Sequence, residues 1–228
     1  MRASRFDINR DNLMEDILQP EGWLTSIKLV RNVRRGGLCH YATVCSTWIY
    51  LCRASTSRST SRPLGDTSLE YVNEANSMCA RVAILLVFGS CLLSYMVHEQ
   101  PHSSVMPMTK FFLWAKQTIR EELQSHWREY FTWLGAFNGP TCKPTQLLST
   151  APWAGNLRRT LSASRRKELQ PDDLVVHLPC HTSGRPRVSG ASGLKASQAY
   201  PKEFAFRFLE LAGIIRNCYE LLRITRNC

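Results

Sequence analysis

The sequence predicts an α/β fold built on a parallel, Rossmann-like sheet, and three observations carry that prediction. Two short apolar runs, "LCHYATVC" (38–45) and "CLLSYMV" (91–97), are each introduced by a glycine. Between them lies a long segment with helical periodicity, and a strand, a helix and a strand joined in this way make a parallel pair with a right-handed crossover. The third observation is a tail, "FAFRFLELAGIIRNCYELL", that keeps a 3.6-residue apolar period and reads as a closing amphipathic helix.

The elements follow in chain order. "EGWLTSIKLVRNVRR" brings Trp23, Leu24, Ile27, Val30 and Val33 near one helical face, and Gly36-Gly37 is the expected stop. The first strand then runs to Cys45. A Ser/Thr/Arg stretch, "RASTSRSTSRPLGD" (53–66), lacks apolar periodicity and reads as a loop ended by a turn at Pro63. In the central helix Leu69, Val72, Ala75, Asn76, Met78, Cys79, Val82, Ala83 and Leu86 share a face, with Gly89 as its expected C-terminal stop. The second strand, apolar enough to be covered on both faces, delivers Glu99. Ligands in such sheets sit beyond the C-terminal strand ends, so Cys45 and Glu99 share the rim where sites form. Downstream, Phe204, Phe208, Leu211, Ile215, Cys218 and Leu222 line the packing face of the last helix.

Composition bounds the function. At 228 residues the chain can bury a sizeable core, and a net charge of +11 attracts phosphates or anionic surfaces. Nucleic-acid binding and an arginine-rich coding background explain that charge about equally well. The nine cysteines are scattered, several within apolar runs, and "MRASRFDINRDN" has no apolar signal core, which points to a reduced, intracellular, soluble protein. The uncharged run 82–97 spans about 24 Å as a helix, short of the roughly 30 Å of a bilayer core. A membrane is therefore disfavoured, although a single-pass membrane or interaction protein stands as the alternative class.

Taken as an ordered set, these features resemble a known family. A glycine-led strand ends in Cys45 ("TVCST"), followed by the Arg/Ser loop with "PLGD", a helix containing "NEAN", and a strand ending in Glu99 ("HEQP"). This order resembles a divergent cytosine-C5 DNA methyltransferase-like domain, closest to a many-copy family of algal protists. The resemblance covers roughly residues 5 to 210. It implies a Rossmann-like S-adenosylmethionine (SAM)-methyltransferase sheet in which Cys45 is the nucleophile toward C6 of a flipped cytosine. Glu99 would be the acid at N3. It also implies that "RFDI" and "EDIL" are strand ends whose Asp7 and Asp16 contact the cofactor, and that "YFTWLGAFNGPTCKPTQLLSTAPW" forms the last hairpin strands. The departures are specific. Val44 stands where the enzymes have proline, Gln100-Pro101 replaces Asn-Val, Lys143 is the one cation in "CKPTQ", and the glycine-rich cofactor loop is missing, so the sheet is incomplete at its N-terminus. The expectation is a catalytically impaired domain, SAM held weakly or not at all, or else a fragment of a longer gene product.

The predicted nucleic-acid contacts are Arg53, Arg58 and Arg62 beside the rim, Lys143, and the second basic cluster, Arg158, Arg159, Arg165 and Arg166. "HLPCH" spaces His177, Cys180 and His181 like metal ligands, but zinc takes four and no second pair follows, so no metal is expected. The expected organisation is a truncated core over 1–157, a basic loop-rich segment over 158–198 and the amphipathic helix over 199–228.

Overall fold

The computed structural model describes residues 4–7, 14–169, 175–178, 187–190 and 200–214. Helix α1 (Pro20–Arg31) precedes strand β1 (Leu38–Ala42), and a single turn, α2 (Arg53–Thr56), precedes the long helix α3 (Glu70–Cys91). Strand β2 (Tyr95–Pro101) and helix α4 (Lys110–Gln117) come next, then β3 (Arg128–Trp133), β4 (Pro144–Ser149) and α5 (Ala163–Glu168). Strands β5 (Val175–Leu178) and β6 (Arg187–Gly190) and helix α6 (Lys202–Leu211) complete the described elements.

β1 and β2 pair in parallel, from Leu38 opposite Tyr95 to Ala42 opposite Glu99, so the expected strand–helix–strand unit is present. Four strands form a mixed open sheet in the order β1-β2-β4-β3, while β5 and β6 make a separate antiparallel pair. The chain divides into two compact units, Met1–Glu129 with Leu148–Pro152, and Tyr130–Leu147 with Trp153–Cys228. The boundaries expected at 157/158 and 198/199 both fall inside the second.

In the first unit, α3 and α4 cover one face of the β1–β2 pair. Met96 and His98 point to that face, and Met96 joins Cys79, Val82, Leu86, Phe112, Ala115, Ile119 and Trp48 in one buried cluster. By strand alternation Val97 and Glu99 point the other way. α3 is the one described helix long and apolar enough to cross a membrane, yet half of its most apolar window is buried in the fold. Its apolarity serves a core on one side. The second unit closes around α6, whose Phe204 meets Phe137 edge-on at 5.2 Å and whose Phe208 meets Trp153 at 5.6 Å. Ile215, Cys218 and Leu222, expected on the same face, lie outside the described residues.

Several boundaries differ from expectation for local physical reasons. Gly89 does not stop α3. It lies inside the helix because a Cβ there would stand 2.0 Å from the Met96 Cε and 3.3 Å from Val30, a close approach that only glycine allows. The helix ends two residues later in a Schellman motif, with Ser94 N–H donating to Gly89 O and Leu93 N–H to Ser90 O, each at 3.0 Å. Leu93, not a glycine, adopts the left-handed conformation (φ 58°). The second strand is thereby shifted from 91–97 to Tyr95–Pro101. Gly36-Gly37 does not stop α1 either. That helix ends at Arg31, and Gly36 (φ 70°) makes the turn into β1. The buried face of α1 is Gly22, Ser26 and Val30, which leaves Leu24 55% exposed instead of packed. Among the described residues neither Asp7 nor Asp16 lies in a strand: 4–7 are irregular and 14–19 form turns.

Two substitutions test this account of the α3 end. Gly89→Ala should lower stability in urea by about 1–3 kcal/mol, because overpacking outweighs its gain of about 1 kcal/mol in helix propensity. In a Met96→Ala background the same methyl has room, and its effect should become neutral or stabilising. Leu93→Gly removes the left-handed strain and should raise stability by about 1 kcal/mol.

Candidate nucleic-acid interface

The residues that meet at the C-terminal end of the β1–β2 pair are Thr43, His98, Gln100 and Ser104. Gln100 Nε2 donates to Thr43 O at 3.0 Å and to Thr43 Oγ1 at 2.8 Å. Ser104 Oγ donates to Gln100 Oε1 at 3.0 Å and accepts from Met106 N–H at 3.2 Å. Thr43 Oγ1 lies 2.9 Å from His98 Nε2 and 3.7 Å from the Met106 sulfur. With the imidazole proton on Nε2, His98 donates to Thr43, whose own proton then faces the sulfur. His98 is fully buried against the Phe112 ring, centroids 4.8 Å apart, and its Nδ1 has no hydrogen-bond partner. Burial, and secondarily the neighbouring His40, push its pKa down to about 3, so the ring is neutral. This neutral network, with His98, Gln100 and Ser104 buried and Thr43 half-buried, holds the chain where β1 leaves the sheet.

Glu99 is placed differently from the expected rim acid. It is the third residue from the end of β2, 6% exposed, opposite Ala42, and its side chain leaves the sheet on the face away from Thr43, His98 and Gln100. Cys45 lies three residues beyond Ala42, partly buried, and its carbonyl accepts from Trp48 N–H at 2.9 Å as the chain turns into the loop.

Arg58 corrects a second expectation. It is 2% exposed and grips no phosphate. Its Nη1 donates to Pro63 O at 2.7 Å and Asn76 Oδ1 at 2.9 Å, and its Nη2 to Val72 O at 3.2 Å. The guanidinium carbon sits 3.5 Å from the centre of the Trp48 ring. Asn76 in turn donates to Leu64 O at 3.1 Å. The "PLGD" and "NEAN" motifs are thus two halves of one internal clasp.

Of the aromatic and cationic side chains left on this loop, Tyr50 and Arg62 are exposed and Arg53 is half-buried. Tyr50 is 65% exposed, and the Arg53 guanidinium lies over its ring at 4.7 Å. Arg62 is exposed at a tip closed by Ser59 Oγ, which accepts from Arg62 N–H at 2.9 Å. Tyr71 Oη donates to Ser55 O at 2.8 Å and fixes α2 to α3. Sequence reasoning missed Tyr50; the signal was an aromatic three residues before an arginine in "YLCR". It also missed Thr43 and His98, which have no motif.

The second unit holds the other predicted cations. Arg159 is tied internally, donating to Glu203 Oε1 at 2.5 Å and Ala136 O at 3.1 Å, with its guanidinium 4.2 Å over Phe137. Arg165 pairs with Glu168 at 2.7 Å, Arg166 lies 5.3 Å over Trp133, and Arg158 is exposed. The Lys143 ammonium lies 5.3 Å over Tyr200. Of the acids assigned to a cofactor, Asp7 pairs with Arg5, and Asp16 Oδ1 accepts from Leu18 N–H at 2.9 Å in the turn before α1. Turn-capping and ion pairing away from any described strand end do not fit a ribose-binding role. In "HLPCH", His177 falls in β5, while Cys180 and His181 lie outside the described residues. No protein-family model, curated protein or solved structure matches the chain.

The buried imidazole has a measurable consequence. Between pH 6.5 and about 3 the unfolded histidine takes up a proton that folded His98 refuses. Its contribution is therefore complete above pH 6.5 and is lost by about 1.4 kcal/mol per pH unit as pH falls. Urea unfolding from pH 7 to 5, above the carboxylate range, should show this slope. His98→Gln should remove its share of the slope and leave that of His40, whose pKa burial also pushes down, to about 4.

Proposed function

We propose that this chain binds single-stranded nucleic acid at the loop beyond β1, as a catalytically impaired cytosine-methyltransferase-like domain. The observation that carries the reading is the exposed Tyr50 ring with the Arg53 guanidinium over it, on a loop that also presents Arg62. Aromatic faces beside cations stack unpaired bases while the cations meet the backbone, and a duplex hides the base faces that such a ring needs. The net charge of +11 supplies the long-range attraction.

Methyl transfer is not part of the proposal. A thiolate and an acid must face one base, whereas Glu99 leaves the sheet on the side away from the network at the strand ends. Asp7 and Asp16 are engaged in local turns and pairs, so no step is derived through SAM.

Fluorescence anisotropy with a labelled oligonucleotide of about a dozen nucleotides tests the reading. Tyr50→Ala should weaken binding by about 1–3 kcal/mol, and Arg53→Ala or Arg62→Ala should each lower the salt slope by about 0.7. Unchanged binding in Tyr50→Ala would remove the stacking site. Titration calorimetry with SAM should show no heat; a saturable heat would restore the enzymatic reading.

A further inference from the structure

We propose that the outer face of α1 and α3 is a docking groove for an acidic amphipathic helix of a partner protein. Ile27, Ile84, Leu85 and Phe88 line a hollow of about 250 Å³ between the two helices. Ile84 is 45% exposed, and Leu24, one helical turn before Ile27, is 55% exposed. On α1, Leu24, Lys28 and Arg31 recur at i, i+4 and i+7, so one exposed stripe of the helix that carries Ile27 holds an apolar residue and two cations. Arg34 and Arg35 extend the positive charge past the helix end. All four cations are exposed, and none forms an ion pair with a described residue.

The sequence sharpens this pattern. No acidic residue occurs between Glu21 and Asp66, nor between Glu74 and Glu99, so both walls of the groove are acid-free. An apolar hollow bordered by charge of one sign matches a helix whose apolar stripe is flanked by carboxylates: large side chains fill the hollow and carboxylates meet Lys28 and Arg31. A second copy of this chain fits poorly, since a two-fold pairing would bring the same four cations together. A nucleic acid would use the cations and leave the hollow wet. A bilayer suits protruding side chains better than a recessed lining such as buried Leu85. The groove and the Tyr50 loop share no residues, so neither reading depends on the other.

The test uses the full chain and a fluorescein-labelled helical peptide with leucines at i, i+3, i+4 and i+7 and flanking glutamates. Its control is a scramble of the same composition without the stripe. The peptide should bind, more weakly as salt rises, and the scramble should bind at least about tenfold more weakly. Ile84→Ser, and separately Lys28→Glu with Arg31→Glu, should each weaken the peptide by roughly tenfold or more. Thermal melts check that these surface variants fold, with Leu24→Ser as a further apolar variant. Any of four results overturns the proposal. These are no peptide binding, equal binding of the scramble, capture by phosphatidylserine vesicles that Ile84→Ser abolishes while the peptide stays unbound, or a dimer that Ile84→Ser dissociates.

Discussion

The first unit is organised around one buried guanidinium. Arg58 is a charge removed from water, and such a group persists only where acceptors and a polarisable neighbour replace its hydration. Pro63 O, Asn76 Oδ1 and Val72 O supply the acceptors, and the Trp48 ring supplies the face. Three stretches of chain are thereby constrained together: the exit from β1, the loop closing at Pro63, and the first two turns of α3. A Ser/Thr/Arg-rich loop that would otherwise be a solvated connection becomes a fixed platform. Tyr50 and Arg53 are presented by that platform, which is why a surface loop can hold a defined geometry.

The strand ends add a second constraint of the opposite kind. Thr43, His98, Gln100 and Ser104 are all neutral and linked by hydrogen bonds, and all but Thr43 are buried. A buried neutral imidazole at the strand ends makes the rim a joint, with exposed Tyr50 and Arg62 out on the loop. Gln100 is the residue that ties β2 to Thr43.

α3 serves two surfaces. Its inner side packs Cys79, Val82 and Leu86 into the core, and its outer side leaves Ile84 and Phe88 along the hollow with Ile27. Apolarity on both sides is what made the run 82–97 look like a membrane segment. The same double use puts an acid-free apolar wall beside the cations of α1.

Periodicity and composition by themselves determined the α/β class, the parallel pair around a long helix, the inward phenylalanines of α6 and the strongly positive surface. These depend on local rules that tertiary context rarely overturns, namely the two repeat lengths and the sign of the summed charge. Boundaries and roles needed the third dimension. Gly89 reads as a helix stop until Met96 is seen against it, and Leu24 reads as core until Gly22, Ser26 and Val30 take the packed face. Arg58 and Arg62 look alike in "RASTSRSTSRPLGD", yet one is sealed beneath Trp48 and the other meets water. Glu99 was placed near the right strand end, but which face it takes depends on register, and one residue of register decides it. Only the tertiary structure could separate such residues, because burial and sidedness arise from contacts between segments far apart in the chain.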